Sequence, residues 1–104
     1  MVGDDSAYVG FLKVHLHFPE AGSLKGKRAE LNRIKAWLRE REGASVSEVG
    51  HRDSWQRSTL AVAVASDSYA RCADAADHVA RRLGPWDPRI EQRILSWTDT
   101  EAIG

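Results

Sequence analysis

The chain has 104 residues and a formal net charge of zero, since 15 basic side chains balance 15 acidic ones. This length matches one domain with its own hydrophobic core, and the zero net charge excludes bulk composition as an argument for nucleic-acid or membrane binding. The single cysteine, Cys72, excludes an internal disulfide framework and indicates a reducing compartment.

The sequence shows no targeting or membrane segment. Residues 1–6 include two aspartates and lack the basic and apolar regions of a secretory signal. No apolar run approaches the roughly 20 residues of a membrane span. We therefore expect a cytoplasmic protein without membrane contact, with a flexible N-terminal extension over residues 1–6 and a single domain over residues 7–104.

The first element is an alternating strand over residues 7–18. One set of residues is expected to face the core: Gly10, Leu12, Val14, Leu16 and Phe18. The other set faces the opposite side: Val9, Phe11, Lys13, His15 and His17.

A helix is predicted over residues 24–42, between the capping residue Ser23 and the terminating Gly43. Its apolar residues recur at helical spacing: Leu24, Leu31, Ile34 and Leu38. Lys27 falls inside this stripe. We favour the common arrangement in which the aliphatic stem is buried and the ammonium stays at the rim. The alternative is a cation held near the helix start to meet an anion or Glu48.

The same helix segregates its charge, because it contains seven basic and three acidic residues, a net charge of +4. One flank carries no acid and comprises Lys25, Arg28, Asn32, Lys35 and Arg39. A solvated helix face is the usual meaning of such a pattern. A ridge that follows phosphate groups is the competing interpretation.

The remaining elements are two strands, a helix and a last strand. Residues 44–49 are compatible with a short strand, and a longer strand buries Leu60, Val62 and Val64, with Thr59, Ala61, Ala63 and Ala65 on its other face beside Trp55 and Arg57. Ser66 or Asp67 is expected to cap a second helix that buries Tyr69, Cys72, Ala76, Val79 and Leu83. Residues 89–98 alternate loosely around Ile90, Ile94, Leu95 and Trp97 and predict the last strand.

The order β-α-β-β-α-β predicts an α+β, ferredoxin-like fold: a four-stranded antiparallel sheet in the order 4-1-3-2 with both helices on one face. This topology brings the end of the first strand, the start of the third and the turn between the second and third to one corner. The start of the first helix and the loop of residues 84–88 with Trp86 are expected at the same corner.

Two segments carry a family resemblance. Residues 23–28, Ser-Leu-Lys-Gly-Lys-Arg, and residues 48–57, Glu-Val-Gly-His-Arg-Asp-Ser-Trp-Gln-Arg, resemble the YlxP-like family of small bacterial proteins of unknown function. The likeness spans nearly the whole domain, from Val14-His15-Leu16-His17 to the last strand. An N-terminal extension over residues 1–7 and the loop of residues 84–88 depart from the family pattern.

The resemblance implies the same ferredoxin-like fold. It also implies a gene that in many bacteria lies among genes for transcription elongation, translation initiation and ribosome maturation. It implies neither an established activity nor catalytic residues. We therefore expect a non-enzymatic accessory factor that binds RNA or the small ribosomal subunit.

The candidate binding residues lie at the predicted corner, on the open sheet face and along the basic helix flank: Lys25, Lys27, Arg28, Lys35, Arg39, His15, His17, Glu48, His51, Asp53, Trp55 and Arg57. Aromatic side chains on the open face suit base stacking, and the basic residues suit phosphate groups. The aromatic motif of RNA-recognition domains is missing, so the analogy with them is one of fold.

A homodimer interface is an alternative use of the open face, since Val9, Phe11, Ala61, Ala63 and Trp55 would form an apolar patch there. A small-anion-binding protein or a hydrolase is less favoured. His51 with Glu48 and Asp53 resembles an acid–base set, but a polar hairpin that caps backbone groups explains the same residues.

A zinc site is the least favoured option. His15 and His17 share one strand face and His51 lies near them, but Lys13 and Arg57 would repel a cation. We expect no metal and no cofactor.

Overall fold

The computed structural model describes residues 6–97. Its elements in chain order are β1 (Tyr8–His17), α1 (Leu24–Arg41), β2 (Ser45–Gly50), β3 (Arg57–Ser66), α2 (Tyr69–Arg82), a single 3-10 turn (Gly84–Trp86) and β4 (Arg89–Ser96). The predicted N-terminal extension, apart from Ser6, and Thr98 of the predicted last strand lie outside the described residues.

The four strands form one antiparallel sheet in the order β2-β3-β1-β4, which confirms the predicted ferredoxin-like arrangement. The central pair, β1 and β3, is in register from Tyr8 opposite Ser66 to His17 opposite Arg57. β4 covers the other side of β1, with His15 opposite Arg89. None of the helices in residues 6–97 is long and apolar enough to cross a membrane.

Both helices pack on the same sheet face, because their buried residues and those of β1 and β3 belong to one cluster. The sheet contributes Leu12, Val14, Leu16, Leu60, Val62 and Val64, and the helices contribute Leu31, Ile34, Leu38, Ala75 and Val79. The period-two burial of β1 agrees with the predicted alternation. Within residues 6–97, no helix lies against the opposite face, the uncovered sheet face.

Both ends of α1 agree with the sequence prediction. The Ser23 hydroxyl accepts a hydrogen bond from the Gly26 amide at 3.0 Å, and Gly43 adopts a φ of 63° just after the helix. The amides of Glu42 and Ala44 both donate to the Leu38 carbonyl at 3.2 Å, which closes the last turn. A left-handed glycine there lets the chain turn directly into β2.

The start of α2 differs from the prediction. The cap is Ser68, whose hydroxyl accepts from the Arg71 amide at 3.2 Å, and not Ser66 or Asp67. β3 continues through Ser66, and the Ser66 hydroxyl accepts from the Ser68 amide instead. The helix therefore begins later than its composition indicated.

Tyr69 was wrongly predicted to be buried. It is 58% exposed at the first position of α2 and meets Tyr8 edge to face, with ring centroids 5.8 Å apart. Ala75 is buried on the inward face of α2, together with the predicted Cys72, Val79 and Leu83. The inward stripe is therefore composed largely of small residues and lets α2 approach the sheet closely.

The closest approach of α2 to the sheet is at Gly10. A Cβ atom at this position would lie 3.2 Å from the Cys72 Cβ and 3.3 Å from the Cys72 carbonyl oxygen. Cys72 is fully buried, and its thiol donates to the Val64 carbonyl at 3.7 Å. Glycine at position 10 is thus a packing requirement of the α2–β1 contact.

We expect Gly10→Ala to destabilise the fold by about 1–3 kcal/mol, because the added methyl overpacks the contact with backbone that cannot rotate away. Chemical denaturation in urea measures this change. Gly22→Ala is the matched control, since a Cβ at Gly22 meets nothing within 4 Å. Equal stabilities of the two variants would contradict the packing argument.

Candidate binding cavity on the uncovered sheet face

The uncovered sheet face carries charged and aromatic side chains in paired rows. Residues that are directly opposite in an antiparallel sheet share a face. On β1 the outward residues are Val9, Phe11, Lys13, His15 and His17. The register places β4 residues beside them: Phe11 lies opposite Arg93, Lys13 opposite Glu91 and His15 opposite Arg89. On the β3 side, His17 lies opposite Arg57.

A cavity of about 320 Å³ opens at one end of this face, where β1 ends and β3 and β4 begin. Two loops border it, one before β3 and one before β4. The residues that line it are His15, Leu16, His17, His51, Arg57, Ser58, Thr59, Asp87 and Arg89. Two arginines and three histidines against one aspartate make this lining rich in hydrogen-bond donors.

His15 is held in place by two side chains across the sheet. Its Nε2 lies 2.8 Å from Glu91 Oε1, and its Nδ1 lies 3.2 Å from Thr59 Oγ1. A neutral ring with its proton on Nε2 satisfies both bonds, since it donates to Glu91 and accepts from Thr59. The ring is therefore fixed between β3 and β4 at the floor of the cavity.

The His15 hydrogen bond holds the pKa of the Glu91 carboxyl below its ordinary value. The charges of Lys13 and Arg89 act in the same direction, and desolvation opposes them. The contact with His15 thus favours the ionised form of the Glu91 carboxyl.

Below the cavity, on the helix side of the sheet, lies a buried group of three polar side chains. Lys27 Nζ is 3.4 Å from Glu48 Oε2, and the two side chains are 0% and 7% exposed. The Ser58 hydroxyl donates to the same Glu48 oxygen at 2.9 Å. This arrangement shows that the favoured prediction for Lys27, an ammonium at the rim, is wrong. The alternative, in which the Lys27 ammonium meets Glu48, is the arrangement observed. The Glu48 carboxylate and the carbonyls of His51 and Arg52 take the place of the water molecules that would surround an exposed ammonium.

The buried lysine also fixes the loop between β2 and β3. Lys27 Nζ donates to the His51 carbonyl at 2.7 Å and lies 3.5 Å from the Arg52 carbonyl. The Arg52 guanidinium in turn donates to the Glu48 carbonyl at 2.8 Å. The ammonium thus donates to two loop carbonyls and pairs with one carboxylate, and these contacts hold the loop against the start of α1.

The β2 strand makes room for this contact with a bulge. The pairing shifts between Glu48, opposite Leu60, and Gly50, opposite Thr59, so that Val49 is the extra residue. A Cβ at Gly50 would lie 3.1 Å from the Thr59 Cβ. A larger residue at position 50 would therefore crowd the Thr59 side chain, whose hydroxyl contacts His15.

Two residues in the cavity wall have left-handed backbones. His51 has a φ of 59° and Asp87 a φ of 47°, and no other non-glycine residue in 6–97 has a positive φ. The two lie on different loops and meet the same cavity. Histidine and aspartate tolerate this region better than most residues, but the conformation still stores strain at this point.

The structure brings together four predicted site residues, because His15, His17, His51 and Arg57 line one cavity. Lys27 and Glu48 lie beneath them as a structural pair. Asp53 and Trp55 are exposed in the loop before β3 and do not line the cavity. β3 begins at Arg57, so Trp55 lies in the loop before the strand. The prediction that Trp55 shares the outward strand face with Arg57 is therefore wrong.

The predicted basic flank lies elsewhere. Lys25, Arg28, Lys35 and Arg39 belong to α1, in the layer that covers the other sheet face, and none of them lines the cavity. Arg39 Nη2 donates to the Val46 carbonyl of the edge strand at 3.2 Å. The flank and the cavity are therefore two separate basic surfaces.

Sequence reasoning placed Thr59 on the open sheet face and the loop of residues 84–88 at the corner, but it did not name Thr59 or Asp87 as binding residues. It missed Arg89, Glu91 and Arg93 as parts of this surface. The signal that could have found the β4 residues is the strand register, which sets each of them opposite an outward residue of β1. The loop before β4 does reach the cavity, but through Asp87. Trp86 of the same loop packs against the core.

Within residues 6–97, no group of three or more His, Cys, Asp and Glu side chains is arranged to hold a metal ion. Both ring nitrogens of His15 are already engaged by protein side chains. The cavity is thus better suited to donate hydrogen bonds to a ligand than to coordinate a cation.

The buried pair leads to a stability prediction. We expect Glu48→Leu to destabilise the protein by about 3–5 kcal/mol, because it leaves the Lys27 ammonium buried without its counter-ion. The double variant Lys27→Met with Glu48→Leu is expected to recover most of this loss. Urea denaturation measures both. Glu40→Leu, at an exposed position of α1, is the control and should change stability by less than about 0.5 kcal/mol. A loss below about 1 kcal/mol for Glu48→Leu would refute the pairing.

The Glu91 contact leads to a pH prediction. We expect His15→Ala to raise the pKa of Glu91 towards its ordinary value, because the hydrogen bond that lowers it is removed. Since the pKa is lowered in the folded state, the contact stabilises the fold above the ordinary carboxyl pKa, and this contribution disappears as the pH falls through the lowered value. Carboxyl NMR titration measures the shift. His17→Ala should leave the pKa of Glu91 low, and an equal rise in both variants would contradict the assignment.

Similar structures show the fold. The de novo designed protein Foldit4 superposes with a TM-score of 0.52 at 15% identity, over 86% of this chain and 96% of that chain. SnoaB, a cofactor-independent oxygenase from Streptomyces nogalater, gives a TM-score of 0.44 at 13% identity, over 85% of this chain and 90% of that chain. The second likeness is too weak to bear on activity.

Sequence comparison shows the family. The uncharacterized protein YlxP of Bacillus subtilis (strain 168) is 34% identical over 86 residues, which are 83% of this chain and 92% of that protein. Residues 9–93 match the family described as "Protein of unknown function (DUF503)". This match covers β1 to most of β4 and includes every residue of the cavity. The chain therefore belongs to the DUF503 family, whose function is unknown.

Proposed function

We propose that this protein is a non-enzymatic cytoplasmic factor that binds RNA of the small ribosomal subunit through its uncovered sheet face. The supporting observation is the charge of that face. The register places Lys13, Arg57, Arg89 and Arg93 on it against one acidic residue, Glu91. A chain with no net charge thus concentrates positive charge on one surface, as phosphate binding requires.

An exposed aromatic side chain lies within this basic surface. Phe11 is 46% exposed and is flanked by Ala63 of β3 and Arg93 of β4. The small Ala63 leaves the ring open on the β3 side, and a base stacked on it would contribute about 1–3 kcal/mol. Trp55, exposed in the adjacent loop, offers a second stacking surface.

The ribosome as the source of the RNA rests on the gene neighbourhood that the family resemblance implies. RNA-recognition domains use the same uncovered sheet face of a related topology, and this supports the proposal by analogy of fold alone. Structure and chemistry together favour single-stranded RNA, whose bases are free to stack.

Co-sedimentation with small ribosomal subunits and with protein-free ribosomal RNA, at about 50 and about 200 mM salt, tests the proposal. We expect binding to both, weakening as the salt rises. The double variant Phe11→Ala with Arg93→Ala should reduce the affinity for RNA at least about tenfold, since it removes one stack and one phosphate contact. Arg81→Ala, an exposed arginine of α2 on the opposite layer, is the control for loss of one charge.

Absence of pelleting at either salt concentration would overturn the proposal. So would equal RNA affinities of the double variant and the Arg81→Ala control, if circular dichroism shows both variants to be folded. Equal loss in the two variants would indicate non-specific attraction and would also contradict the assigned face.

A homodimer through the same face is a second candidate, favoured by a different observation. The end of the sheet opposite the cavity is apolar, because Val9 lies opposite Ala65 on one side and Leu95 on the other, next to Phe11. A second copy seated there would bury roughly 800 Å² per partner. Sedimentation without RNA discriminates the two, since only the dimer doubles the mass. Because the cavity lies at the other end, a dimer at the apolar end leaves it accessible.

A further inference from the structure

We infer that the cavity binds a phosphate monoester, either the terminal phosphate of an RNA strand or that of a mononucleotide. The inference names the ligand of one part of the proposed RNA surface, and in that respect it rests on the proposed function. It concerns only the cavity, whereas the proposed function rests on the whole uncovered face.

Two arginines lie on opposite sides of β1 at the cavity. Arg57 lies on β3 and Arg89 on β4, the strands that flank β1, and both line the cavity. His17 and His15 lie between them on β1. An anion above β1 would therefore meet a guanidinium from each side, and guanidinium groups match phosphate oxygens in geometry as well as charge.

The floor of the cavity is held in place by hydrogen bonds within the protein. His15 is fixed by Thr59 and Glu91, so its ring does not need to reorder when a ligand enters. Thr59 in turn lies opposite Gly50 of β2 in the sheet, so its backbone belongs to a strand that is paired on both sides. A preorganised floor lowers the entropic cost of binding a small ligand.

Residues with left-handed backbones border the cavity on both of its loops. His51 and Asp87, the two strained residues, border the cavity from separate loops, and the buried Lys27 holds the first of them from below. Strained residues cluster at binding sites because the surrounding structure holds them there. Their convergence on one cavity indicates a ligand that is bound between the loops.

Size and charge then select the kind of phosphate. The volume of about 320 Å³ is at the lower end of ligand pockets, which suits one nucleotide and not a continuous strand. A terminal monoester has one substituent and up to two negative charges, whereas an internal diester has two substituents and one charge. A pocket bordered by two loops accepts the monoester more readily than the diester.

One acidic group in the lining opposes an anion. Asp87 contributes a carboxylate to the wall, and Glu91 stands behind His15 with its charge engaged by that ring. The two arginines thus face one free carboxylate. We expect Asp87→Asn to strengthen phosphate binding about threefold to tenfold, a sign opposite to that of the arginine variants.

The test compares one short RNA with a 5′-phosphate, with a 3′-phosphate, and with hydroxyl groups at both ends, by fluorescence anisotropy. Uridine monophosphate, uridine and inorganic phosphate are added separately and followed by amide NMR shifts. We expect a preference of about tenfold for one terminal phosphate, and its loss in Arg57→Ala and Arg89→Ala. Arg81→Ala should keep the preference.

The outcomes separate this inference from the proposed function. Equal affinity for all three RNAs would overturn the inference and leave RNA binding intact. No affinity for any RNA, with uridine monophosphate bound through Arg57 and Arg89, would support the inference and identify the mononucleotide as its ligand. A response to inorganic phosphate or uridine that matches the response to uridine monophosphate would overturn it, as would no binding of any probe.

Discussion

The buried ion pair between Lys27 and Glu48 is the constraint on which the architecture of the cavity depends. Taking two charges out of water costs several kcal/mol per ion, and a cation in the first turns of a helix also opposes the helix dipole. The Ser58 hydroxyl and two loop carbonyls offset these costs, because they complete the hydrogen bonding of both ions. The pair therefore joins α1, β2, β3 and the loop before β3, and it holds His51 at the cavity from below.

The layered fold places two basic surfaces on opposite sides of the sheet, whereas the sequence prediction combined them in one binding site. The flank of α1 lies in the helix layer, and one of its residues, Arg39, is partly engaged by the β2 backbone. The outward arginines of β3 and β4 lie on the other side of the sheet with His15 and His17 between them. Among residues 6–97, this second surface combines a cavity with an exposed aromatic ring, Phe11, and for that reason we propose it as the binding surface.

The fold could be predicted from local sequence patterns. Most of the cavity could not, because it is formed by contacts between residues that are distant in the sequence. The alternation of β1 and the caps Ser23 and Gly43 are local features, so the sequence indicated them correctly. The ion pair of Lys27 runs against the general rule for lysine and depends on Glu48 across the core. The contribution of Arg89 depends on strand register, and the hydrogen bond from the Lys27 ammonium to the His51 carbonyl joins residues that are distant in the sequence. The residues next to Arg89 and His51 in the sequence do not indicate either of these arrangements.

The central claim is that the uncovered sheet face, and not the basic flank of α1, contacts RNA. Amide NMR of the isotope-labelled protein, titrated with a single-stranded fragment of small-subunit ribosomal RNA, tests it most directly. The account predicts shifts that map to the outward positions of β1, β3 and β4, such as Phe11, His17 and Arg89. Shifts confined to α1 around Arg28 and Lys35, with the sheet unaffected, would contradict it.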